Sequence, residues 1–449
     1  MARAIKGRLW WPLLAASALA TPAWAQSRSG ELPPYASGPS WTGFYVGAAF
    51  GGTAAIEHTN ATTNGVTFSN QGVGGQGVLA SIYGGYDFQV MPKALVGVLA
   101  EGTWASAQTA VSAQVGGANA NITSQPDWGF ALLARAGIVA TPSTLLYLTG
   151  GYAGQNFHTT GTAVAPGAFA SFNRNDWYNG WTVGGGLESK LRGAWSAKLE
   201  YRYTQFGTLT VGNGVTDTPS IHAVRAGLTY KFGEGAAASA DEGPVSRSTV
   251  NWTGPYVGVE AGVAASVTRL TATFAGASAQ TNEGGQSLLG GGYGGFDYQL
   301  SDQFVVGVLG EIAAANPQTT NTVMAGGASA FVNVSPAFSW SAMARLGWLA
   351  SPATLLYATG GYTGEAINVN ASAFAGGAMA NFSSYNVLSG WTVGPGIEAR
   401  IADGWSTKLE YRYSEYGTQT LLPGVTLQPS THTVRLGLAY KFPVPTSSQ

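Results

Sequence analysis

The chain has 449 residues, with 21 basic and 22 acidic side chains and a formal net charge of −1. Only 10% of its residues are charged, whereas soluble domains carry about 25%. The balanced charge argues against a nucleic-acid binder, and 12% aromatic residues argue against a disordered chain. The absence of cysteine excludes a disulfide scaffold, an iron–sulfur site and a thiol nucleophile. The low charge indicates that much of the surface does not face water.

The first 25 residues have the pattern of a secretory signal peptide. Arg3, Lys6 and Arg8 precede an apolar run, and Ala23–Trp24–Ala25 is a small-x-small cleavage site, so the mature chain is expected to start at Gln26. Residues 26–40 form a lead-in segment. Beyond it no apolar stretch reaches the length of a spanning helix, which leaves a closed β-barrel as the remaining way to cross a bilayer.

The rest of the chain contains one domain twice. Gly180–Trp181 returns at Gly390–Trp391, and the Lys198–Tyr203 run returns at Lys408–Tyr413, both at an offset of 210 residues. This spacing is too long for a solenoid repeat and indicates a duplicated domain. The predicted organisation is copy one at 41–232, a small and polar linker at 233–251, copy two at 252–442 and a tail at 443–449.

Each copy contains eight strand-like runs separated by turn residues. In copy one they lie, in chain order, near 43–53, 77–89, 94–105, 128–140, 144–155, 180–191, 194–206 and 222–232. Short turns alternate with long segments near 54–76, 106–127, 156–179 and 207–221, expected to be loops, as in bacterial outer-membrane barrels. The predicted fold is all-β: an antiparallel transmembrane β-barrel, present as two tandem eight-stranded copies.

One sixteen-stranded barrel is the alternative, and it would leave an aqueous channel. The long linker, a closing strand in each copy and the balance of the inward charges within copy two favour two separate barrels.

Side-chain parity along the strands separates two faces. Trp195, Leu199 and Tyr203 share one face of their strand, whereas Lys198, Glu200 and Arg202 share the other. Trp195 and Tyr203 lie roughly 20 Å apart in depth on a strand tilted by about 40°, close to the separation of two aromatic girdles. The predicted girdle residues are Trp195, Tyr201, Tyr203, Trp405, Tyr411 and Tyr413.

The opposite face carries charge of both signs and is predicted to fill the barrel interior with ion pairs, because buried charges need partners. In copy two the inward set also includes Glu260, Asp297 and Glu311. An ion-paired plug is favoured over a catalytic carboxylate site. The predicted network comprises Arg135, Glu188, Lys198, Glu200, Arg202, Arg225, Lys231, Arg345, Glu398, Arg400, Lys408, Glu410, Arg412, Arg435 and Lys441.

Several of these motifs resemble the small outer-membrane β-barrel family of outer-membrane immunogenic or porin-like proteins. They include the opening Trp41–Gly47, the Leu146–Gly151 run, Gly180–Gly184 and Leu199–Tyr203, and all recur in copy two. The resemblance covers nearly all of both copies and is specific as a set rather than motif by motif.

The resemblance implies that each last strand carries the signal read by the barrel-assembly machinery. Its residues here are Gly227, Tyr230, Phe232, Gly437, Tyr440 and Phe442. Two positions depart from the family: seven residues follow Phe442, and Leu133 stands where the family often has an arginine.

Other chemistry has weaker support. Gly72-x-Gly74-x-x-Gly77 matches a dinucleotide fingerprint by letter but has no strand before it and no helix after it. Ser220 with His222, repeated as Ser430 with His432, resembles a hydrolase pair without a third group or an oxyanion hole. His58 and His158 are isolated. No catalytic, cofactor or metal site is therefore predicted.

The expected role is structural, with surface display in the bacterial outer membrane, and the alternative is a porin-like channel for small hydrophilic solutes. The expected partners are outer-membrane lipid, the barrel-assembly machinery and a surface ligand bound through the long loops, with no nucleic acid.

Overall fold

The computed structural model describes residues 40–63, 66–191, 193–212, 214–233, 251–274, 276–325 and 327–443. Every regular element in these ranges is a β-strand. Within the same ranges there is no helix whose length and apolar character would let it cross a membrane. The predicted signal peptide at 1–25, nearly all of the lead-in at 26–40, and most of the linker at 233–251 and tail at 443–449 lie outside the described residues.

Ten strands of copy one form a closed wall, called barrel one. β3 and β4 both pair with β5 and together make one strand of the wall, and β8 and β9 both pair with β10 and make another. The ten strands therefore form a wall of eight antiparallel strands. The ring closes where β1 pairs with β10 from Tyr45↔Lys231 to Ala61↔Val215. The strands are β1 Gly43–Thr63, β2 Val66–Met91, β3 Ala94–Ala105, β4 Gln108–Val115, β5 Ala118–Thr141, β6 Thr144–Ala165, β7 Ala168–Lys190, β8 Trp195–Phe206, β9 Leu209–Gly212 and β10 Val215–Lys231.

Copy two repeats this arrangement as barrel two. Its first strand, β11, pairs with its last strand, β20, from Tyr256↔Lys441 to Ala272↔Val425. The prediction of two eight-stranded copies is therefore confirmed. The strands are β11 Gly254–Phe274, β12 Ala277–Gln299, β13 Phe304–Ala315, β14 Thr319–Ala325, β15 Ala328–Ser351, β16 Thr354–Ala375, β17 Ala378–Ala402, β18 Trp405–Tyr416, β19 Gln419–Leu422 and β20 Val425–Lys441.

The register fixes the size of both barrels. A path of paired residues that leaves Tyr45 and follows the wall of barrel one returns to β1 at Ala55, ten residues further along. In barrel two the corresponding path leaves Tyr256 and returns at Ser266. Eight strands with this stagger give a tilt of about 40° and a backbone radius of about 8 Å, so side chains fill the interior.

The long segments between the predicted strands are not irregular loops, contrary to expectation. β6 and β7 stay paired as far as Ala165↔Ala168, and Pro166–Gly167 forms the turn between them, with Gly167 at φ +77°. Pro and a Gly with positive φ suit a tight turn, and the Thr, Val and Ala residues before it sustain a β-ladder. The barrel end that bears these hairpins is called the outer end, and the end with the short turns is called the inner end.

The two barrels pack side by side through equivalent residues. Leu187, Leu199 and Val224 of barrel one join one buried cluster with Ile397, Leu409 and Val434, their counterparts in barrel two. At the inner end the hydroxyl oxygens of Thr144 and Thr354, residues equivalent in the repeat, lie 3.1 Å apart. Contacts between equivalent residues define a pseudo-twofold axis that runs between the barrels, as in an isologous dimer.

Short backbone ladders also join the barrels at their outer ends. β4 pairs with β12 from Val111↔Thr281 to Val115↔Ala277, and β2 pairs with β14 from Val66↔Ala325 to Asn70↔Asn321. These two ladders are equivalent under the repeat. The outer hairpins of both barrels therefore form one continuous sheet.

Candidate functional site: the barrel interiors and their outer ends

The interior of barrel one is crossed by buried ion pairs near its inner end. Arg135 bridges Asp87 at 2.9 Å and Glu188 at 2.5 Å, and its guanidinium lies 3.9 Å from the centroid of the Tyr147 ring. Lys231 also contacts Asp87, at 3.2 Å. These side chains are almost completely buried, and each charge has a partner of opposite sign, as a buried charge requires.

A second group of ion pairs lies beside the first. The Tyr147 hydroxyl donates to Glu200 at 2.8 Å, and Glu200 also contacts Arg202. Arg202 bridges to Glu101 at 2.9 Å, and Arg225 contacts the same carboxylate. Lys198 lies 3.5 Å from Glu200 and 3.6 Å from the centroid of the Tyr83 ring. The cavity beside this group has a volume of about 30 Å³, enough for a water molecule or two.

Barrel two repeats the network with one additional acid. Arg345, Glu398, Glu410, Arg412 and Lys441 make the contacts of their counterparts in barrel one. Glu260, at the position of Ala49, additionally contacts Lys408 at 3.0 Å and Arg435 at 2.6 Å.

Fourteen of the fifteen residues in the predicted network lie in these two interiors, and Arg400 does not. Its guanidinium lies at the inner end, where it donates to the Asn251 carbonyl at 2.6 Å and stacks 4.9 Å from the centroid of the Trp252 ring. Arg400 has the inward parity, but it lies only two positions before Ala402, where β17 ends.

The predicted network also omitted central members of barrel one. Asp87 and Glu101 accept ion pairs from four basic side chains, and Tyr147 joins the two groups. These three residues recur in copy two as Asp297, Glu311 and Tyr357, and this recurrence is the sequence feature that indicates their membership of the network.

The aromatic residues predicted as girdles occupy two environments. Trp195 and Trp405 are exposed on the outer wall near the inner end, against Tyr230 and Tyr440. Tyr203 packs against the exposed Trp181, and Tyr413 against Trp391. Other exposed tryptophans of the wall, absent from the predicted set, are Trp104, Trp128 and Trp348.

Tyr201 and Tyr411 depart from the girdle prediction because they lie between the barrels. The Tyr201 hydroxyl lies 2.8 Å from His222 Nδ1, and the Tyr411 hydroxyl lies 2.8 Å from His432 Nδ1. Their parity is outward, as expected, but this part of the outer wall is covered by the neighbouring barrel.

The residues of the predicted assembly signal form similar groups in both closing strands. Tyr230 packs on Phe232 and Tyr440 on Phe442, with ring centroids 5.0 and 5.2 Å apart, on the outer wall at the inner end. Gly227 and Gly437 lie on the inward face, where a Cβ would stand 3.0 and 2.8 Å from the hydroxyls of Tyr83 and Tyr293. Glycine at these positions therefore leaves space for Tyr83, which stacks under Lys198, and for Tyr293, which stacks under Lys408.

The rejected chemical motifs have structural roles at the barrel interface. His222 Nε2 lies 2.6 Å from Gln286 Oε1, so Tyr201 and Gln286 occupy both imidazole nitrogens, and the Ser220 hydroxyl donates to the Ile56 carbonyl instead. The Gly72–Gly77 motif lies within β2, where Gly74 approaches Gly284 of barrel two. Among the described residues there is no group of three or more His, Cys, Asp or Glu side chains able to hold a metal ion.

Two closed antiparallel barrels with charged interiors and exposed apolar and aromatic outer walls define a membrane-spanning β-barrel protein. The profile of the outer membrane protein beta-barrel domain matches residues 12–232 and 235–442, and the chain belongs to this family, with the domain present twice. It is a protein of the bacterial outer membrane.

Relatives and solved structures of the same type are similar to parts of the chain. The 31 kDa outer-membrane immunogenic protein of Brucella melitensis is 29% identical over 212 residues, 43% of this chain and 85% of that protein. The 25 kDa outer-membrane immunogenic protein of Brucella abortus is 30% identical over 155 residues, 34% of this chain and 64% of that protein. The crystal structure of Neisserial surface protein A covers 42% of this chain and 97% of its own, at 16% identity and a TM-score of 0.22.

Proposed function

We propose that the protein is a non-conducting pair of outer-membrane barrels with a structural, non-enzymatic role and that it displays a continuous β-sheet at the cell surface. The observation that carries this proposal is the filling of both interiors by buried ion pairs. Arg202 and Arg412, each with two carboxylate partners, are among the most buried large side chains of the protein. A hydrated path for solutes would require these pairs to separate, at a cost of several kcal/mol each.

The outer walls support contact with lipid. Phe44, Val46 and Phe50 point outward from β1 and are between 48% and 66% exposed. Apolar side chains in such a row match the hydrocarbon band around an outer-membrane barrel. The aromatic ends of β10 and β20 are the proposed contacts of the barrel-assembly machinery.

The outer hairpins support the display role. The ladders β4–β12 and β2–β14 join the two barrels, so the surface presented outside the membrane is one ordered sheet rather than separate loops. Such a sheet presents backbone and side chains in a fixed arrangement, which suits recognition by another protein or a surface ligand.

Single-channel recording in a planar bilayer tests the proposal. The purified chain is expected to insert without a stable open level, because buried ion pairs occupy the described part of both interiors. A variant with Arg202 and Arg225 replaced by glycine is the positive comparison. It lacks two of the side chains around the 30 Å³ cavity and is expected to leak more ions than the unmodified protein. A stable, large open level in the unmodified protein would overturn the proposal in favour of a porin-like channel.

A further inference from the structure

A cavity of about 430 Å³ lies in the outer end of barrel one. Below it, Phe157, Phe206 and Ile221 form part of a buried apolar cluster. The cavity lies outside the membrane-spanning belt. Glu57 is 13 residues beyond Phe44 on β1, which at the strand tilt is about 33 Å of height, whereas the apolar belt is about 25 Å tall.

The charges that line this cavity are predominantly negative. The carboxyl of Asp217 accepts hydrogen bonds from Tyr178 at 3.0 Å and Thr59 at 3.3 Å. Arg174 also lines the cavity, but it pairs with Asp176 at 2.9 Å. Glu57 and Asp217 therefore bring two carboxyl groups to the cavity, and neither forms an ion pair with another of the described residues.

Glu57 is the side chain that points to a ligand. It is only 6% exposed, and its Oε1 has no hydrogen-bond partner among the described residues. The hydroxyls of Thr109 and Ser124 lie near the same carboxyl group. Burial, reinforced by the nearby Asp217, raises the pKa of Glu57 to about 8. A buried carboxyl group without a cation is costly, and a bound cation would remove that cost.

Barrel two provides an internal comparison, because it has other residues at the equivalent positions. Thr268 stands at the position of Glu57, Leu427 at that of Asp217 and Leu388 at that of Tyr178. Leu388 and Leu427 belong to a buried apolar cluster with Val334, Ile367 and Tyr416. The ion-paired interiors below share one network apart from Glu260 of barrel two, so the pair of Glu57 and Asp217 is a specific feature of barrel one rather than a consequence of the fold.

We propose that this cavity binds an organic cation, an ammonium group that carries an apolar or aromatic body, with Glu57 and Asp217 as the carboxylates that receive the ammonium. The volume is within the usual range for small-molecule sites. The rings of Phe172 and Tyr178 line the cavity and can contact the apolar body or the cation itself. A bare divalent metal ion fits less well, because it requires six or more oxygen ligands and most of the other lining residues are apolar.

The test measures binding of 2-phenylethylammonium to the full chain by isothermal titration calorimetry in a non-ionic detergent, with empty micelles as the blank. The neutral probe 2-phenylethanol has nearly the same shape and no charge. The ammonium is expected to bind at least about tenfold more tightly than the alcohol, because a charge-assisted contact with carboxylates is lost in the neutral probe.

Isosteric variants separate the site from the rest of the protein. Glu57→Gln with Asp217→Asn is expected to weaken ammonium binding at least about tenfold and to leave alcohol binding unchanged. Glu365→Gln, which removes a buried carboxyl group in barrel two, is the matched control and is expected to keep full affinity. Retained heat-modifiable gel migration verifies folding of each variant. Absence of ammonium binding, equal affinity for both probes, or full affinity in the double variant would overturn the proposal.

Discussion

Glu260 allows the contribution of the interior ion pairs to be measured, because barrel one lacks this acid naturally. In barrel two Glu260 is 5% exposed and contacts Lys408 at 3.0 Å and Arg435 at 2.6 Å. Glu260→Ala leaves Lys408 with Glu410 at 3.7 Å and Arg435 with Glu311. We expect barrel two to lose about 3 kcal/mol of stability, at the lower end of the 3–5 kcal/mol typical of a broken buried pair, because both bases keep one partner.

The assay is urea-induced unfolding in detergent micelles, followed by tryptophan fluorescence and by the migration of folded and unfolded forms on gels. A double-mutant cycle of Glu260→Ala with Lys408→Met isolates the pair and is expected to give a coupling energy of about 2 kcal/mol. Ala49→Glu in barrel one is the reciprocal variant, which places the same carboxylate near Lys198 and Arg225. An unchanged unfolding midpoint in Glu260→Ala, together with a coupling energy near zero, would refute the stabilising role of the interior ion pairs.

Three further predictions concern the interior, the interface and the cavity. Tyr147→Phe removes the donor to Glu200 and is expected to cost about 1–3 kcal/mol, measured by the same unfolding assay, with a similar loss for Tyr357→Phe. Gly284→Val places a Cβ 2.9 Å from the Gly74 Cα, and faster amide exchange is expected in the β2–β14 ladder. Gly290→Val, where a Cβ meets open space, is the control and is expected to leave the exchange rates of this ladder unchanged. Glu57→Gln is expected to raise the unfolding midpoint at pH 9 but not at pH 4. The wild-type protein loses stability as the pH rises from about 4.5, the ordinary carboxyl pKa, through about 8, and a midpoint difference independent of pH would contradict this.

The interior could be predicted from the sequence because the pleat of a strand places alternate residues on opposite faces. Lys198, Glu200 and Arg202 alternate with outward residues, and the structure buries all three inside barrel one. The same rule cannot tell whether an outward residue faces lipid or the neighbouring barrel. Tyr201 faces outward like Tyr203, but it contacts barrel two, and only its neighbour His222, a polar residue on an otherwise apolar wall, indicates a covered surface.

The outer ends were less accessible to sequence reasoning. Segments rich in Gly, Asn, Thr and Ala show no sustained alternation of apolar and polar residues in the sequence, so they resemble loops, although backbone pairing across the hairpins holds them as strands. The acidic cavity was recoverable in part. Comparison of the two copies shows that Thr268 stands at the position of Glu57 and Leu427 at that of Asp217. The sequence does not show that Glu57 and Asp217 line the same cavity, because their proximity depends on the ten-residue stagger of the wall.

A disulfide across the pseudo-twofold axis tests the arrangement of two separate barrels most directly, because the native chain has no cysteine. In the Thr144→Cys, Thr354→Cys variant, mild oxidation is expected to protect both thiols from a maleimide-polyethylene glycol label added after denaturation, since the native hydroxyl oxygens are 3.1 Å apart. In a sixteen-stranded ring the same residues would stand on opposite walls, about 30 Å apart. Thr182→Cys with Thr392→Cys, each buried inside its own barrel, is the control and should remain unlinked. Two freely labelled thiols at 144 and 354 after oxidation would contradict the paired-barrel structure.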